Sequence, residues 1–150
     1  VDLFEVAQSV VKQLKPRASE KGVVFDLSGT HVFIKGAKTL LYEMIYNLCD
    51  NAIKYNVENG AIAVSVKRTK DAAVVKVKDT GCGISEDQQD RIFERFYRVD
   101  KSHSRASGGT GLGLSIVKHA AIWHNATIKV KSKLGKGTTF IVRFPLKTKK

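Results

Sequence analysis

The sequence predicts a two-layer α/β sandwich, with helices packed on one face of a mixed, mostly antiparallel sheet. Three observations predict it. Apolar residues recur at helical spacing in three separated stretches. Two pairs of runs alternate apolar and polar residues with period two and read as β-hairpins. These stretches interleave in the order helix, strands, helix, hairpin, loop, helix, hairpin, with no internal repeat and no low-complexity segment. The 150 residues are expected to form a single domain, 1–150, with ample chain to bury a core.

The first helix is marked by Leu3, Val6, Ala7, Val10, Val11 and Leu14, with Asp2 as N-cap and Pro16 just beyond as a stop. Val23–Leu27 and Val32–Ile34 are short β-rich runs, and Ser28-Gly29-Thr30 between them reads as a turn. Leu40, Leu41, Met44, Ile45, Leu48, Ala52 and Ile53 mark a long helix whose polar residues include Glu43, Asn47, Asp50 and Asn51. Asn59-Gly60 is a strong turn signal. A hairpin follows, Ala61–Thr69 and Ala72–Asp79, joined at Lys70-Asp71, with Val75 and Val77 opposed to Lys76 and Lys78. A short helical stretch is expected around Glu86–Phe93, then a polar loop Arg98–Gly109. The third helix runs from about Gly111 to His124, with Leu112, Ile116, Val117, Ala120 and Ala121 inward. The last hairpin is Ala126–Ser132 and Thr138–Pro145, turning at Leu134–Gly137. Its strands too have one dry and one wetter face, as in a sheet covered on one side.

Composition narrows the function classes. At 43% hydrophobic and 27% charged, the chain reads as globular rather than disordered. No apolar run approaches the ~20 residues that span a bilayer. The opening Val1-Asp2-Leu3-Phe4-Glu5 has no basic n-region before an apolar stretch, so no signal peptide is expected in this chain. Two cysteines, Cys49 and Cys82, make no disulfide scaffold, and a reducing compartment is the simpler reading. CxxC and HExxH are both missing, which argues against a zinc site. The net charge of +12 leaves open a nucleic acid, a phosphorylated ligand, an acidic protein or a merely soluble surface.

Three stretches carry chemistry. In Gly108-Gly109-Thr110-Gly111-Leu112-Gly113-Leu114-Ser115, close-set glycines let backbone N–H groups approach phosphate oxygens ahead of a helix N-terminus. Leu114 stands where a Walker A lysine would, and the spacing is not the dinucleotide fingerprint. Alone, this stretch would read as a flexible loop. Asp79-Thr80-Gly81-Cys82-Gly83-Ile84 ends a strand with a carboxylate able to accept from an exocyclic amine, beside glycines that admit a flat base. Alone, it would read as an Asp-initiated turn. In Asn47–Tyr55, Asn47 and Asn51 lie four apart on one helical face, and Glu43 extends the stripe. Amide oxygens can ligate Mg²⁺, Lys54 can reach a phosphate and Tyr55 can stack on a base. The competing reading is a solvated helix face, which ordinary Glu/Lys pairs would have marked.

In order and spacing, these stretches resemble the N, G1 and G2 boxes of the sensor histidine kinases. Ile92-Phe93-Glu94-Arg95-Phe96-Tyr97-Arg98 looks like the F box of that family, and Gly135-Lys136-Gly137-Thr138-Thr139-Phe140 resembles its final glycine box. The resemblance runs from Val1-Asp2-Leu3 to Phe144-Pro145-Leu146. It implies a catalytic and ATP-binding domain with the Bergerat ATP-binding fold shared by gyrase, Hsp90 and MutL. The F box and Gly109–Lys118 favour the kinase branch.

The resemblance also implies roles. Asp79 would read the adenine amino group, with Gly83 close to the base and Gly81 and Ile84 among the cofactor-binding residues. Asn51, helped by Asn47, would hold Mg²⁺ against the triphosphate of ATP. Lys54 would contact phosphate and Tyr55 would flank the adenine. Gly109, Thr110, Gly111, Leu112, Gly113 and Leu114 would form the phosphate-cradling loop. Arg98–Gly108 would be a lid, with Phe96 and Arg98 bordering the nucleotide. Phe93 and Phe96 would position that lid and contact the phosphoacceptor domain. Thr138 would line the base pocket. Glu43 matches the water-activating Glu of the ATPase relatives, and with Asn47 and Lys54 makes the expected catalytic set.

The family's phosphoacceptor segment is missing, since none of His31, His103, His119 and His124 has its context. His119 and His124 are expected to be packed or exposed on their helix, and Cys82 to be a small residue tolerated in a turn. The implied activity is transfer of the ATP γ-phosphoryl group to a His on a separate dimerisation domain, and onward to a response-regulator receiver. The isolated domain is expected to be monomeric and cytoplasmic, and the full-length protein a homodimer held in the bacterial inner membrane through regions outside this chain. The alternatives are an ATP-hydrolysing clamp or an anti-sigma-type kinase of the same fold, and a basic nucleic-acid-binding domain. Against the last stands the lack of a Cys/His finger, helix-turn-helix or aromatic ribonucleoprotein motif.

Overall fold

The computed structural model describes residues 1–89, 91–93 and 113–146. Helix α1 spans Leu3–Glu20, capped by Asp2, whose Oδ1 accepts from the N–H of Phe4 at 3.0 Å. Strand β1 is Val24–Gly29, helix α2 Lys38–Lys54, strand β2 Ala61–Arg68 and strand β3 Ala72–Asp79. A single 3₁₀ turn occupies Glu86–Gln88. Helix α3 is Gly113–Trp123, and β4 (Thr127–Lys133) and β5 (Gly137–Pro145) end the fold. No helix among the described residues is long and apolar enough to cross a membrane.

The five strands form one sheet in the order β1-β2-β3-β5-β4. Only β1 and β2 run parallel, and the other three pairings are antiparallel. The mixed, mostly antiparallel two-layer sandwich is therefore observed. The dry face carries Ile62, Val64 and Val66 of β2, Val75 and Val77 of β3, and Phe140, Val142 and Phe144 of β5. Against it pack Leu3, Val10 and Leu14 of α1, Leu41, Met44, Ile45 and Leu48 of α2, and Val117 and Ala120 of α3. Each such aliphatic or aromatic side chain stabilises the fold by roughly 1.5–3 kcal/mol when fully buried.

Three expectations are corrected. Pro16 lies inside α1, not beyond it. Its missing N–H orphans the carbonyl of Lys12, one turn back, on the exposed side of the helix, where both residues face solvent. Leu14 and Ala18, buried on either side, hold the helix on the core. The real stop is Gly22, at φ +73°. It donates to the carbonyl of Ser19 at 3.0 Å while Val23 donates to that of Ala18 at 2.9 Å, a Schellman closure. Secondly, Ser28 and Gly29 are not a turn: they continue β1, paired with Ser65 and Val66 of β2. The parallel partner strand, invisible to local pattern, extends them. Val32–Ile34 forms no strand and contributes one isolated bridge, Phe33 to Asp2. Finally, of the helical stretch expected at Glu86–Phe93 the described residues show only a 3₁₀ turn at Glu86–Gln88, whose backbone bonds span three residues, as does that from Arg91 to the Gln88 carbonyl at 3.0 Å.

The start of α2 is fastened from the far end of the chain. Its N-cap, Ala37, has no side chain to cap with, and donates its N–H to His124 Nε2 at 3.0 Å. His124 Nδ1 lies 2.7 Å from the carbonyl of Ala120, which assigns the proton to Nδ1 and leaves Nε2 as acceptor. The packing expected of His124 is thus observed, and His119 is exposed. Gly36 makes room for the ring, since a Cβ there would stand 2.5 Å from Nε2.

Candidate nucleotide site

The second half of α2 presents Asn47, Asn51, Lys54 and Tyr55, all half-buried. Asn47 donates through Nδ2 to the carbonyl of Glu43 at 2.6 Å, so its Oδ1 is the end turned outward. That oxygen faces the first residue of α3: a Cβ on Gly113 would lie 3.1 Å from it. The N box and the last glycine of the G2 box are therefore neighbours. Asp50 pairs with Arg17 of α1 and, at 3.2 Å, with Lys54. Lys54 is thus held on a carboxylate at the same helix end. Cys49, one position before Asp50, is fully buried, and burial together with the Asp50 charge pushes its thiol up to about 12, so it stays protonated. Glu43 is exposed one turn before Asn47.

Asp79 closes β3 and is buried. Its Oδ1 accepts two backbone N–H groups, from Gly81 at 2.8 Å and from Thr138 of β5 at 3.2 Å. Burial raises the carboxyl above its ordinary value, and the two N–H bonds only partly offset this. With Oδ1 saturated by backbone, Oδ2 is the oxygen left for an exocyclic amine.

The loop after Asp79 is tied on both sides. Cys82 donates its N–H to the Tyr55 carbonyl at 3.0 Å, and its own carbonyl accepts from Gly135 at 2.8 Å. A Cβ on Gly81 would stand 2.3 Å from the Tyr55 carbonyl oxygen. Gly83, at φ +77°, leaves no more room: a Cβ would stand 2.1 Å from the Lys133 carbonyl oxygen. These glycines let α2, the loop and the β4–β5 turn meet backbone to backbone. Ile84 donates to Ser132 Oγ at 2.7 Å, and Ser132 Oγ lies 2.8 Å from Thr138 Oγ1. A cavity of about 690 Å³ opens at this end of the sheet on the face away from the helices, lined by Lys78, Asp79, Ile84, Glu86, Lys131 and Thr138 among others and by no residue of α2. Phe93 packs edge-on against Phe140, with ring centroids 6.2 Å apart.

The structure therefore gathers two groups of the expected site residues. Asp79, Gly81, Gly83, Ile84 and Thr138 cluster with Tyr55, and Asn47 meets Gly113 at the start of α3. Leu114 is half-buried in the first turn of α3. Phe96, Arg98, Gly109, Thr110, Gly111 and Leu112 lie outside the described residues, as do most of the F box and the whole Arg98–Gly108 segment. Four supporting residues escaped the sequence reading. Ser132 and Gln89 brace Ile84, and nothing in the strand alternation singles them out. Asn56 is buried, accepting from Thr80 Oγ1 at 3.0 Å and donating to the Ala61 carbonyl at 3.2 Å. Asn56 and Thr80 sit directly beside the two boxes, which is a signal that could have found them.

A two-layer sandwich whose sheet end joins an asparagine-bearing helix to an Asp-Gly loop defines a nucleotide-binding ATPase fold, and comparison with known proteins agrees. The chain belongs to the histidine kinase-, DNA gyrase B- and HSP90-like ATPase family, whose pattern matches residues 36–148. Among its relatives is the sensor histidine kinase RppB of Synechocystis, 42% identical over 81% of this chain and 27% of that protein. Another is the signal transduction histidine-protein kinase ArlS of Staphylococcus aureus, 43% identical over 96% of this chain and 32% of that protein. The solved structure of the mycobacterial sensor histidine kinase MprB superposes with a TM-score of 0.85 at 27% identity, covering 97% of this chain and 95% of that one. The fold and sequence are those of a histidine kinase catalytic domain. The chain spans about a third of the length of these curated relatives.

Proposed function

We propose that this chain is the ATP-binding catalytic module of a two-component sensor histidine kinase. It would transfer the γ-phosphoryl group of ATP to a His on a separate dimerisation domain, from which a response-regulator receiver takes it. The observation that best supports this reading is that α2 meets both glycine boxes: Asn47 Oδ1 faces Gly113, and the Tyr55 carbonyl at the helix end meets Gly81 and Cys82 beside Asp79. The full-length protein is proposed to be a homodimer of the cell membrane with this module on the cytoplasmic side.

Phosphoryl transfer asks a protein chiefly for positioning and charge stabilisation. Asp79 Oδ2 accepts the adenine amine, with Gly83, Ile84, Tyr55 and Thr138 around the base. Lys54 exchanges Asp50 for a phosphate oxygen. The N-terminus of α3 at Gly113 would face the triphosphate. The donor set also fits Mg²⁺. Asn47 Oδ1 is turned outward beside Gly113, Asn51 lies one turn on, and no cluster of three His, Cys, Asp or Glu among the described residues could hold a metal alone. Two neutral amide oxygens suit a cation that arrives with its nucleotide, and when bound it offsets triphosphate charge. The acceptor imidazole brings its own lone pair, so Glu43 has only its proton to manage.

The test is titration of Mg-ATP against the chain and its Asp79→Asn and Asn51→Ala variants. Losing a hydrogen bond to a charged group weakens binding by about 1.5–3 kcal/mol, on the order of ten- to a hundredfold. Unchanged affinity in both variants would sink the site assignment. Phosphoryl transfer to an added phosphoacceptor domain then separates a kinase from an ATP-hydrolysing clamp of the same fold.

A further inference from the structure

Among the described residues no α-helix packs on the face of the sheet away from α1, α2 and α3; its charge is concentrated on one half, where the Ile84–Gln89 segment, with Glu86, borders a cavity shared with Lys78 and Lys131. Lys76 and Lys78 of β3 and Lys129 and Lys131 of β4 are exposed on either side of β5. The register sets them in two rows: Lys76 and Lys129 both stand opposite Ile141, and Lys78 and Lys131 both stand opposite Thr139. The stems are thus about 10 Å apart across β5 and about 7 Å apart along the strands. The ion pairs of the described residues involve none of the four. The row continues past Lys131 to the β4–β5 turn, where Lys133 and Lys136 flank Leu134, which is 67% exposed. A Cβ on Gly135 at the tip would meet nothing within 4 Å.

We propose that this face docks on an anionic lipid surface, with the four lysines over the headgroups and Leu134 dipping among them. Charge complementarity requires an anionic partner, and the arrangement favours a bilayer over other polyanions. Lysines are flexible point charges that need no matching geometry from the partner, which a fluid headgroup layer does not offer. A protein partner of this size is anchored by a large apolar or aromatic residue near the centre of its interface. Here the centre is half-buried Thr139 and Ile141, and the large exposed apolar residue is at the rim, on a turn flanked by cations, as at membrane interfaces. Single-stranded nucleic acid is read on sheets through exposed aromatics. The open face of β3, β4 and β5 has none, and its one arginine, Arg143, is tied to Asp71 at 2.8 Å.

The experiment is sedimentation of the chain with phosphatidylcholine vesicles, and with vesicles in which a third of that lipid is replaced by phosphatidylglycerol. Binding is expected only to the second, weakening as salt rises. Each lysine near such a surface contributes about fivefold to affinity. Joint replacement of Lys76, Lys78, Lys129 and Lys131 by Gln should therefore lower binding several-hundred-fold, to background. The edge-strand pair Lys129→Gln with Lys131→Gln, which leaves the central strands intact, should lower it roughly 25-fold. Leu134→Ser should weaken binding at low and high salt alike. Equal binding to both vesicle types, or retention of full binding by both lysine variants, overturns the proposal. So does indifference to vesicles in a chain that binds polyglutamate or duplex DNA.

Discussion

Asp79 is asked to do two things that conflict. Its Oδ1 closes the loop through Gly81 and Thr138, yet the carboxylate is buried, and burial raises its proton affinity above the ordinary value. A raised folded-state value means that the folded chain holds this proton more tightly than the unfolded one. Stability therefore falls as pH climbs from the unfolded value, about 3.9, through the raised folded value, and stays lower above it. Asp79→Asn keeps an oxygen acceptor for both N–H groups and removes the buried charge. The variant should unfold at a higher urea concentration than the parent at pH 7 while binding ATP more weakly. A lower urea midpoint at pH 7 would show that the ionised form contributes to the fold. The residue types of the candidate site were legible in the sequence because the proposed chemistry restricts them: a carboxylate for an amine, amides for a cation, glycines for close approach. The glycines' neighbours were not. That Gly81 and Gly83 abut the carbonyls of Tyr55 and Lys133 depends on elements about 25 and 50 residues away.

At the scale of elements, the helices and hairpins were readable because their periodicity is local, and the errors fell where the deciding partner is distant. β1 runs through Ser28 and Gly29 because β2 offers a parallel edge, and no turn dipeptide announces that. α1 shows the same balance. Its N-cap was legible in Asp2, but its end was misplaced at Pro16 because the sequence alone does not say that Pro16 faces water. Replacing Pro16 with Ala should restore the hydrogen bond to Lys12 and raise stability, by up to about 3 kcal/mol, read as a higher denaturant midpoint at unchanged slope. Asp2 supplies the opposite case. Burial disfavours its charge, but hydrogen bonds from His31, Phe4 and Glu5, with the charge of His31, outweigh this and hold its carboxyl below the usual value. The Oδ2 to His31 Nδ1 distance is 2.6 Å. A lowered folded-state value contributes stability that is full above the unfolded value and lost as pH falls through the folded one. Asp2→Ala should cost about 1 kcal/mol at neutral pH, as for an N-cap, and progressively less below about pH 4. Urea melts across that range would check it, and a cost independent of pH would rule out the charge as its source.

Across the described residues, one apolar layer joins the sheet to α1, α2 and α3, and the candidate site lies at the end of that layer rather than within it. A ligand that binds there only when the fold is complete must stabilise all of it. Mg-ATP at a hundredfold excess over its dissociation constant should add about 2.7 kcal/mol, seen as a rise in melting temperature that grows with the logarithm of nucleotide concentration. A melting temperature indifferent to Mg-ATP would mean that the described end of the fold is not where nucleotide binds.

The position of β5 has a consequence for how the chain reaches this state. The last strand in sequence is not an edge of the sheet: it is inserted between β3 and β4. Its pairing with β3 joins Ala72 to Pro145, and it delivers the Thr138 N–H that seats Asp79. Until residue 145 has left the ribosome, a growing chain can assemble β1, β2 and β3 but must leave one side of β3 bare, with the three buried apolar side chains of β5 still missing from the layer. Such long-range closure is slow compared with hairpin formation. Folding of this domain is therefore completed from its C-terminal end, and a chain truncated before β5 should be a sticky, nucleotide-blind intermediate rather than a smaller version of the same protein.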